Sequence, residues 1–174
     1  MREMWVRGII FKQVLDYIIK NRGQTSYALL GKDVEKYRVE EKYPFEEFAE
    51  LLSKVRLITS GEEDYIARIS RDTMKMEASW KGLFRRMDPA TVFTSTQRQE
   101  GRQQLADYEP IEASNGRAVI RMKMWTDNHE HQNLWADFYR GRLEGILELM
   151  GRKGSVKMVR EFGNGGFTYT IGWT

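Results

Sequence analysis

The stretch Ser114-Asn-Gly-Arg-Ala-Val-Ile-Arg-Met-Lys-Met-Trp125 decides the fold class of this chain. Its Asn-Gly dipeptide is the strongest short-range signal for a tight hairpin turn. After the turn, the even-numbered side chains from Ala118 to Met124 alternate with the odd-numbered ones, which is the period of a strand. The segment Tyr108–Ala113 is the expected partner strand. The sequence therefore predicts a β-hairpin here.

A helix and a second hairpin follow. Apolar side chains recur at helical spacing over residues 132–150, and Gly151 ends the pattern. Two further alternating runs, 156–162 and 167–173, are joined by Gly163-Asn-Gly-Gly166, whose glycines suit a tight turn. The order hairpin, helix, hairpin predicts a four-stranded antiparallel sheet with the helix packed across one face.

The N-terminal part is expected to be helical. The chain is predicted to be one α+β domain over residues 1–174, mainly helical in 1–107 and ββαββ in 108–174. The first expected elements are a helix over 8–20 stopped by Gly23 and a short helix over 25–30 ended by Gly31. Next come a helix with Pro44 at its first position and a helix that a capping box at Ser60–Glu63 opens and that runs to about residue 71. A helical segment over 77–87, an Asp88-Pro89 cap, and a weak helix or exposed loop over 94–107 complete this part.

Composition excludes several classes of protein. The chain has 41% hydrophobic residues, 12% aromatic residues and no cysteine, so it is globular and has neither disulfides nor thiolate sites. The net charge is only +3, and no dense Lys/Arg stripe indicates nucleic-acid binding. No apolar run is long enough for a membrane span, and no signal peptide is recognised. A cytoplasmic protein is the expectation.

Two glycines, Gly141 and Gly145, lie four residues apart within the predicted helix 132–150. They share one helix face, and each costs roughly 0.5–1 kcal/mol of helix stability relative to alanine. A close backbone approach would compensate for this cost. The partner in that approach is the sheet, a ligand or a second subunit, and the sheet is favoured.

The C-terminal third resembles a known superfamily. The helix Phe138-Tyr-Arg-Gly-Arg-Leu-Glu-Gly-Ile-Leu-Glu-Leu-Met-Gly151 and the strand Phe167-Thr-Tyr-Thr-Ile-Gly-Trp173 resemble a myxobacterial-type family of uncharacterised domains. The wider superfamily includes haem-NO/oxygen-binding (H-NOX) sensors, 4-vinyl-reductase-type domains and TRAPP vesicle-tethering subunits. The opening Gly8-Ile-Ile-Phe-Lys-Gln-Val-Leu-Asp16 is similar to the first H-NOX helix. The resemblance implies a sensory or scaffolding module.

This chain departs from the haem-binding members of the superfamily. The resemblance implies an axial histidine on a helix before the sheet and a Tyr-x-Ser-x-Arg clamp in the second strand. No histidine precedes His129, and the strand reads Arg121-Met-Lys-Met-Trp-Thr126. The cysteines of the other two groups are also missing. We therefore expect no cofactor, and no haem of the familiar type.

The two histidines stand in Asp127-Asn-His-Glu-His131. His129 and His131, with neighbouring carboxylates, are weak candidates for a metal site or for catalysis. Their i, i+2 spacing suits a strand or loop, because a helix would point the two rings apart. A solvated connection with a capping role is the favoured interpretation.

The sequence predicts a binding module without catalytic activity. A ligand pocket is expected between the N-terminal helices and the sheet, near Phe11, Leu15, Trp80, Phe84, Met122 and Met124. The occupant would be a small apolar ligand, and the domain would pass its signal to a protein partner, with a homodimer left open. A haem or tetrapyrrole gas sensor and an enzyme using His129 or His131 are the alternatives.

Overall fold

The first 107 residues, predicted to be mainly helical, also contain a small sheet that the sequence did not predict. The computed structural model describes residues 2–60, 62–76, 82–95, 103–161, 163 and 165–174. Strand β1 (Trp5–Arg7) lies between β2 (Lys42–Pro44) and β3 (Gln103–Gln104), and both neighbours run antiparallel to it. Strands of two or three residues are too short to show alternation in a sequence.

The two glycines predicted to end helices, Gly23 and Gly31, both act on helix α1 (Gly8–Leu30). Gly23 has a left-handed φ of 80° and interrupts the helix as a kink. Gly31 ends the helix with a φ of 60°, and its N–H donates to the Ala28 carbonyl at 3.1 Å. The expected helix over 8–20 and the short helix over 25–30 are therefore the two limbs of one kinked helix.

Helix α2 (Phe45–Ile58) begins one residue later than predicted. Pro44, expected at the first helical position, is extended (φ −54°, ψ 138°) and belongs to β2. Residues Phe45, Phe48, Leu51, Leu52 and Val55 form its buried stripe, as the spacing predicted. The amphipathic pattern therefore determines which face is buried, while the strand pairing of Pro44 sets the boundary.

The predicted capping box over Ser60–Glu63 is wrong. Helix α3 (Tyr65–Met76) begins five residues after Ser60, whose amide instead donates to the Leu57 carbonyl at 3.3 Å in a turn that closes α2. Asp64, directly before α3, has a φ of 59°. A left-handed residue at this position separates the turn from the helix, so Ser60 lies too far away to cap it.

The short helix α4 (Pro89–Ser95) has the predicted cap. Asp88 Oδ2 accepts a hydrogen bond from the Thr91 amide at 3.0 Å, and Pro89 is the first helical residue. Part of the predicted helix 77–87, including Trp80, lies outside the described residues. So do residues 96–102 of the expected loop and Phe162 of the predicted third strand.

The C-terminal part forms the predicted antiparallel sheet. Strands β4 (Ala106–Ser114) and β5 (Arg117–Met124) make the first hairpin, helix α5 (His129–Leu149) follows, and β6 (Gly154–Arg160) and β7 (Gly166–Trp173) make the second. The strand order is β4-β5-β7-β6. The register shifts at Ile111, where β4 bulges between Pro110 and Glu112.

Helix α5 lies at the centre of the fold. It contacts the sheet on one side, where the Tyr169 hydroxyl donates to the Ala136 carbonyl at 3.1 Å. Its other side packs along α3, and buried side chains of α1, α2 and the sheet join the same core. Among the residues described above, no helix is long and apolar enough to cross a membrane.

Candidate functional site

The residues predicted to line a pocket lie in the core. Phe11 and Leu15 of α1 and Met122 of β5 are fully buried. Phe84 and Met124 are almost so, and all five belong to one continuous apolar cluster. Trp80, the sixth, lies outside the described residues. None of the five lines either of the two clefts discussed below, and a pocket at these residues remains a prediction.

Aromatic side chains fill the interior between α1, α2 and α5. The Phe11 ring stacks on Tyr37 at 4.2 Å and meets the Phe48 ring edge-on at 5.0 Å. Phe48 in turn contacts Phe138 at 5.3 Å and Trp135 at 6.1 Å. All five side chains are at most 2% exposed. Each such pair adds about 0.5–1.5 kcal/mol beyond its burial, so this cluster holds the N-terminal helices against α5.

The helix before the sheet offers no ligand to a haem iron. The inward side chains of α4 are Val92 and Phe93, and the Phe93 ring packs 5.7 Å from the Trp173 ring at the end of β7. The undescribed residues 96–102 contain no histidine either, because both histidines of the chain follow β5. The helix before the sheet therefore carries no imidazole, although the resemblance implies one on such a helix.

Strand β5 does not carry the implied clamp for acidic groups. Met122 and Met124 face the core, and Arg121 and Lys123 face the open side of the sheet. Arg121 is already paired there, with Glu161 at 2.9 Å and Glu109 at 3.5 Å. Its guanidinium is therefore held on the side of the sheet away from the core.

The buried tyrosines are poor substitutes for an axial histidine. Trp135 Nε1 donates to the Tyr108 hydroxyl at 3.2 Å, and Tyr139 lies between Tyr108 and Tyr169 with ring distances of 5.0 and 5.2 Å. Desolvation raises the pKa of the Tyr108 and Tyr169 hydroxyls far above the usual range. These two hydroxyls therefore keep their protons at neutral pH. The residues present do not fit a haem.

The histidine segment forms the first turn of α5, where we expected a strand or loop. Asn128 is the N-cap: its Oδ1 accepts from the Glu130 and His131 amides at 3.0 and 3.1 Å. His129 is exposed and contacts the Arg160 guanidinium, whereas the half-buried His131 ring meets the Phe45 ring edge-on at 6.1 Å. The two rings thus serve different neighbours, because α-helical geometry separates side chains two residues apart.

The described part of the chain places neither histidine in a cluster of metal ligands. No group of three or more His, Cys, Asp or Glu side chains there is placed to hold a metal ion. The Nδ1 atom of His129 faces a guanidinium, which is the opposite of the carboxylate that orients a catalytic histidine. The capping role expected for this segment is therefore performed by Asn128, and the two histidines lie in the helical turn that it caps.

Gly141 and Gly145 contact helix α3, where the sequence favoured the sheet. A Cβ on Gly141 would lie 1.9 Å from the Ala67 carbonyl oxygen. One on Gly145 would lie 2.8 Å from the Arg71 carbonyl oxygen and 3.0 Å from the Met74 Cβ. The expectation of a sheet contact is corrected for a physical reason: the glycine face of α5 points away from the sheet, and backbone-to-backbone contact fixes the α3–α5 distance.

A polar cleft of about 580 Å³ lies between the α2–α3 connection and α5. Asp64 and Asp137 line the cleft. Arg140 of α5 pairs with Asp64 at 2.5 Å and lies 3.7 Å from Asp137. Desolvation raises the pKa of Asp137, Arg140 opposes the shift, and the Asp64 charge raises the value further. No local motif of the sequence predicts the contact between Asp64 and Arg140, because the two residues are 76 positions apart in the chain.

A second set of contacts holds the same connection from α1. Arg22, next to the Gly23 kink, pairs with Glu62, and its guanidinium lies 4.9 Å from the centre of the Tyr65 ring. Arg68 covers the same ring at 5.0 Å and also pairs with Glu62 at 3.3 Å. Tyr65 therefore lies against two guanidinium groups, which ties the start of α3 to α1.

The comparisons with known proteins identify a fold. No family model matches the sequence, and no curated protein does so either. Among solved structures, a mutant of the iron(II) unliganded H-NOX protein from K. algicida has a TM-score of 0.73 at 17% identity. The match covers 97% of this chain and 96% of that one.

Other solved H-NOX structures are similar over the same extent. An oxygen-binding H-NOX domain related to soluble guanylate cyclases, solved as its oxygen complex, gives a TM-score of 0.65 at 14% identity. It is covered over 95% of its length by 97% of this chain. A structure concerned with the mechanism of H-NOX activation gives 0.68 at 13% identity, with 97% and 96% covered. The H-NOX part of the predicted resemblance is thus confirmed for the fold, and this chain has an H-NOX-like fold. Kinship with the other groups stays a prediction.

Proposed function

We propose that this chain is a non-catalytic sensory or regulatory domain with the H-NOX fold that works without haem. It acts by binding a small apolar ligand or a protein partner in signalling. The observation that carries the proposal is the whole-domain match to H-NOX structures combined with an α4 that presents Val92 and Phe93 to the core. Kinship with the myxobacterial-type family and placement in the cytoplasm belong to the same proposal.

Sensing is supported by the neighbours that share the fold. The solved structures include an oxygen-binding domain related to soluble guanylate cyclases and one concerned with H-NOX activation. A small domain of this kind acts on another protein, because it has no catalytic centre of its own in this proposal. The protein partner is therefore part of the proposed function, and a second copy of this chain, forming a homodimer, is one such partner.

The apolar ligand would bind near the predicted pocket residues. Methionine is flexible and polarisable, so Met122 and Met124 are suited to repack around an irregular apolar molecule. Phe11 and Leu15 lie on the α1 side of the same core, and Phe84 lies on the segment before α4. Binding there requires the core to open, since these side chains are at most 4% exposed.

A haem or tetrapyrrole sensor is the alternative that one observation favours, namely the iron(II) and oxygen complexes among the structural neighbours. Against it stand the missing histidine before the sheet and the paired Arg121 on the open face. A catalytic function of His129 or His131 would need a carboxylate partner, and His129 instead faces Arg160.

Native mass spectrometry of the full chain tests the proposal. The protein would be produced in cells supplied with a haem precursor, with an H-NOX protein such as that from K. algicida produced in parallel as the haem-loaded control. The expected result is a protein mass without haem, and any retained small molecule and the number of subunits appear in the same spectrum. One haem per chain would overturn the haem-free function and establish the alternative.

A further inference from the structure

Strand β6 (Gly154–Arg160) ends the four-stranded sheet on one side. It pairs with β7 over its whole length in an uninterrupted register, from Gly154 opposite Trp173 to Arg160 opposite Phe167. Only Val156 of this strand is buried, and Met158 is half-buried. The strand is therefore regular and open to solvent along its outer edge.

The outer edge of β6 presents an unpaired row of backbone groups. Just beyond the ends of the strand, the Thr174 amide donates to the Lys153 carbonyl and the Glu161 amide donates to the Gly166 carbonyl. Odd-numbered residues therefore exchange hydrogen bonds with the β7 side. Since antiparallel strands alternate, Gly154, Val156, Met158 and Arg160 direct their N–H and C=O groups outward. No described strand pairs with that row.

The opposite edge of the sheet is blocked, and β6 is not. Strand β4 carries Pro110, which has no N–H, and bulges at Ile111. Proline and bulges are the usual devices that keep another strand from adding to an edge. Strand β6 has neither device, so it is the one edge of this sheet that accepts a further strand.

A side-chain cleft lies beside the open edge. It has a volume of about 250 Å³ and is bounded by α3, α5 and the first half of β6. Leu147 and Val156 supply apolar surface in it. Arg71 is paired there with Glu144 and Glu148, so the cationic group next to the edge that has no described ion pair is Arg152. Peptides that add to a sheet edge gain affinity from main-chain hydrogen bonds and specificity from such pockets.

The charge around the edge is positive and uncompensated. Arg152, Lys153 and Lys157 are exposed and form no ion pair with the described part of the chain. On the open face of the sheet, Lys157 lies two residues from Val159, whose side chain is 63% exposed. An incoming strand would therefore meet a cation and an apolar side chain in neighbouring positions on that face.

The same charges disfavour a second copy of this chain as the occupant. Two copies of β6 that pair antiparallel over all seven residues set Gly154 opposite Arg160, since these are the ends of the strand. Lys157 would then face Lys157 of the other copy directly. Like charges placed opposite each other across two strands are destabilising.

We propose that β6 is a docking edge for an extended acidic segment of a partner protein, which adds to the sheet as a fifth strand. A carboxylate of that segment lies opposite Lys157, and a neighbouring apolar side chain covers Val159. The inference rests on the proposed function and names the chemistry of the protein partner in it.

A synthetic peptide and amide hydrogen exchange test the proposal on the full chain. The peptide is a short capped strand with glutamate and valine at neighbouring positions of one face, to meet Lys157 and Val159, and with threonine on the other face. Added to the isotope-labelled protein, it should newly protect the amides of Gly154, Val156, Met158 and Arg160. The amides of Ser155, Lys157 and Val159 already bond to β7 and should change little.

Charge variants separate docking from non-specific attraction. Lys157→Glu should weaken peptide binding roughly tenfold, because an opposite-charge pair becomes a like-charge pair. The control Lys123→Glu makes the same change on an exposed residue of β5, away from the edge, and should bind like the unmodified protein. A peptide with lysine in place of glutamate should bind only to Lys157→Glu.

Three results would overturn the docking edge. They are equal peptide binding by the protein and by Lys157→Glu, no new protection at the even-numbered amides, and protection of those amides by self-association without peptide. Circular dichroism verifies that each variant folds. Failure of the peptide removes this surface but leaves the haem-free mass unchanged, whereas a haem-loaded mass overturns the proposed function itself.

Discussion

A methyl group added to Gly141 would lie 1.9 Å from the carbonyl oxygen of Ala67, because helices α3 and α5 touch through their backbones at this point. Gly141→Ala should therefore destabilise the protein by roughly 2–3 kcal/mol, as overpacking does, despite the better helix propensity of alanine. Gly145→Ala, whose nearest contact is 2.8 Å, should cost less. Urea unfolding followed by circular dichroism measures both values.

Gly82→Ala is the control for the two glycine variants. A Cβ at Gly82 meets no atom of the described structure within 4 Å, and its φ is not left-handed. The change should leave the free energy of unfolding within about 0.5 kcal/mol of the unmodified protein. If Gly141→Ala were as mild as Gly82→Ala, the close contact between α3 and α5 would be disproved.

The left-handed backbone of Asp64 predicts an order among its variants. Asparagine and glycine tolerate a φ of 59°, so Asp64→Asn and Asp64→Gly should lose mainly the exposed ion pair with Arg140. An exposed pair contributes about 0.5 kcal/mol. Asp64→Ala should cost about 1 kcal/mol more, since alanine lacks both the freedom of glycine and the short polar side chain with which asparagine stabilises a left-handed backbone. Equal stabilities for the alanine and asparagine variants would contradict the left-handed assignment.

The raised pKa of Asp137 predicts a pH-dependent effect of its removal. Desolvation makes the folded state hold the carboxyl proton more tightly than the unfolded chain does. The stabilising contribution of this group is therefore full below its ordinary pKa and is lost as pH rises through the raised value. Asp137→Asn should thus gain stability relative to the unmodified protein at neutral pH and gain little in acid.

Glu161 should show the opposite pH dependence of stability. Urea unfolding at neutral and at acidic pH measures it for both Asp137→Asn and Glu161→Gln. Hydrogen bonds from Thr168 and Arg121 lower the pKa of its carboxyl. Its contribution is present above the ordinary carboxyl pKa and is lost as pH falls through the lowered value. Glu161→Gln should therefore lose stability at neutral pH and not in acid, and a shared sign for the two variants would show that the pKa shifts are wrong.

The aromatic cluster predicts a large cavity effect. Phe48 touches rings from α1 and α5 and is fully buried, so Phe48→Ala should cost about 3–5 kcal/mol. Leu57→Ala on the same helix removes a side chain that is 72% exposed and should cost under about 0.5 kcal/mol. Thermal unfolding compares the two, and a similar loss for both would contradict the packing of Phe48 between α1 and α5.

Local patterns in the sequence predicted most of the elements, and long-range contacts decided what those patterns could not. The Asn115-Gly116 turn and the alternation after it are local signals, so the hairpin is evident from sequence, whereas the bulge at Ile111 that shifts its register is not. The partner of Gly141 is not, because the glycine spacing indicates a close approach without indicating to which surface. Sequence favoured the sheet, and only the packed fold shows α3.

The same reasoning explains what was missed at the candidate sites. The ion pair of Asp64 joins residues 76 positions apart in the chain, and no local motif predicts it. The Ser60–Glu63 segment matches the capping-box motif, but in the folded chain α3 begins only at Tyr65, so Ser60 does not cap it. The missing histidine before the sheet, by contrast, is a property of the sequence alone. The departure from the axial-ligand pattern of the haem-binding members was therefore evident before the fold was known.

Absorption spectroscopy during a haem titration tests the central claim most directly. Haem would be added stepwise to the full chain, with the H-NOX protein from K. algicida as the positive control. We predict that this chain leaves the spectrum of free haem unchanged and develops no Soret band of a ligated iron. A sharp Soret band that saturates at one haem per chain would contradict the account.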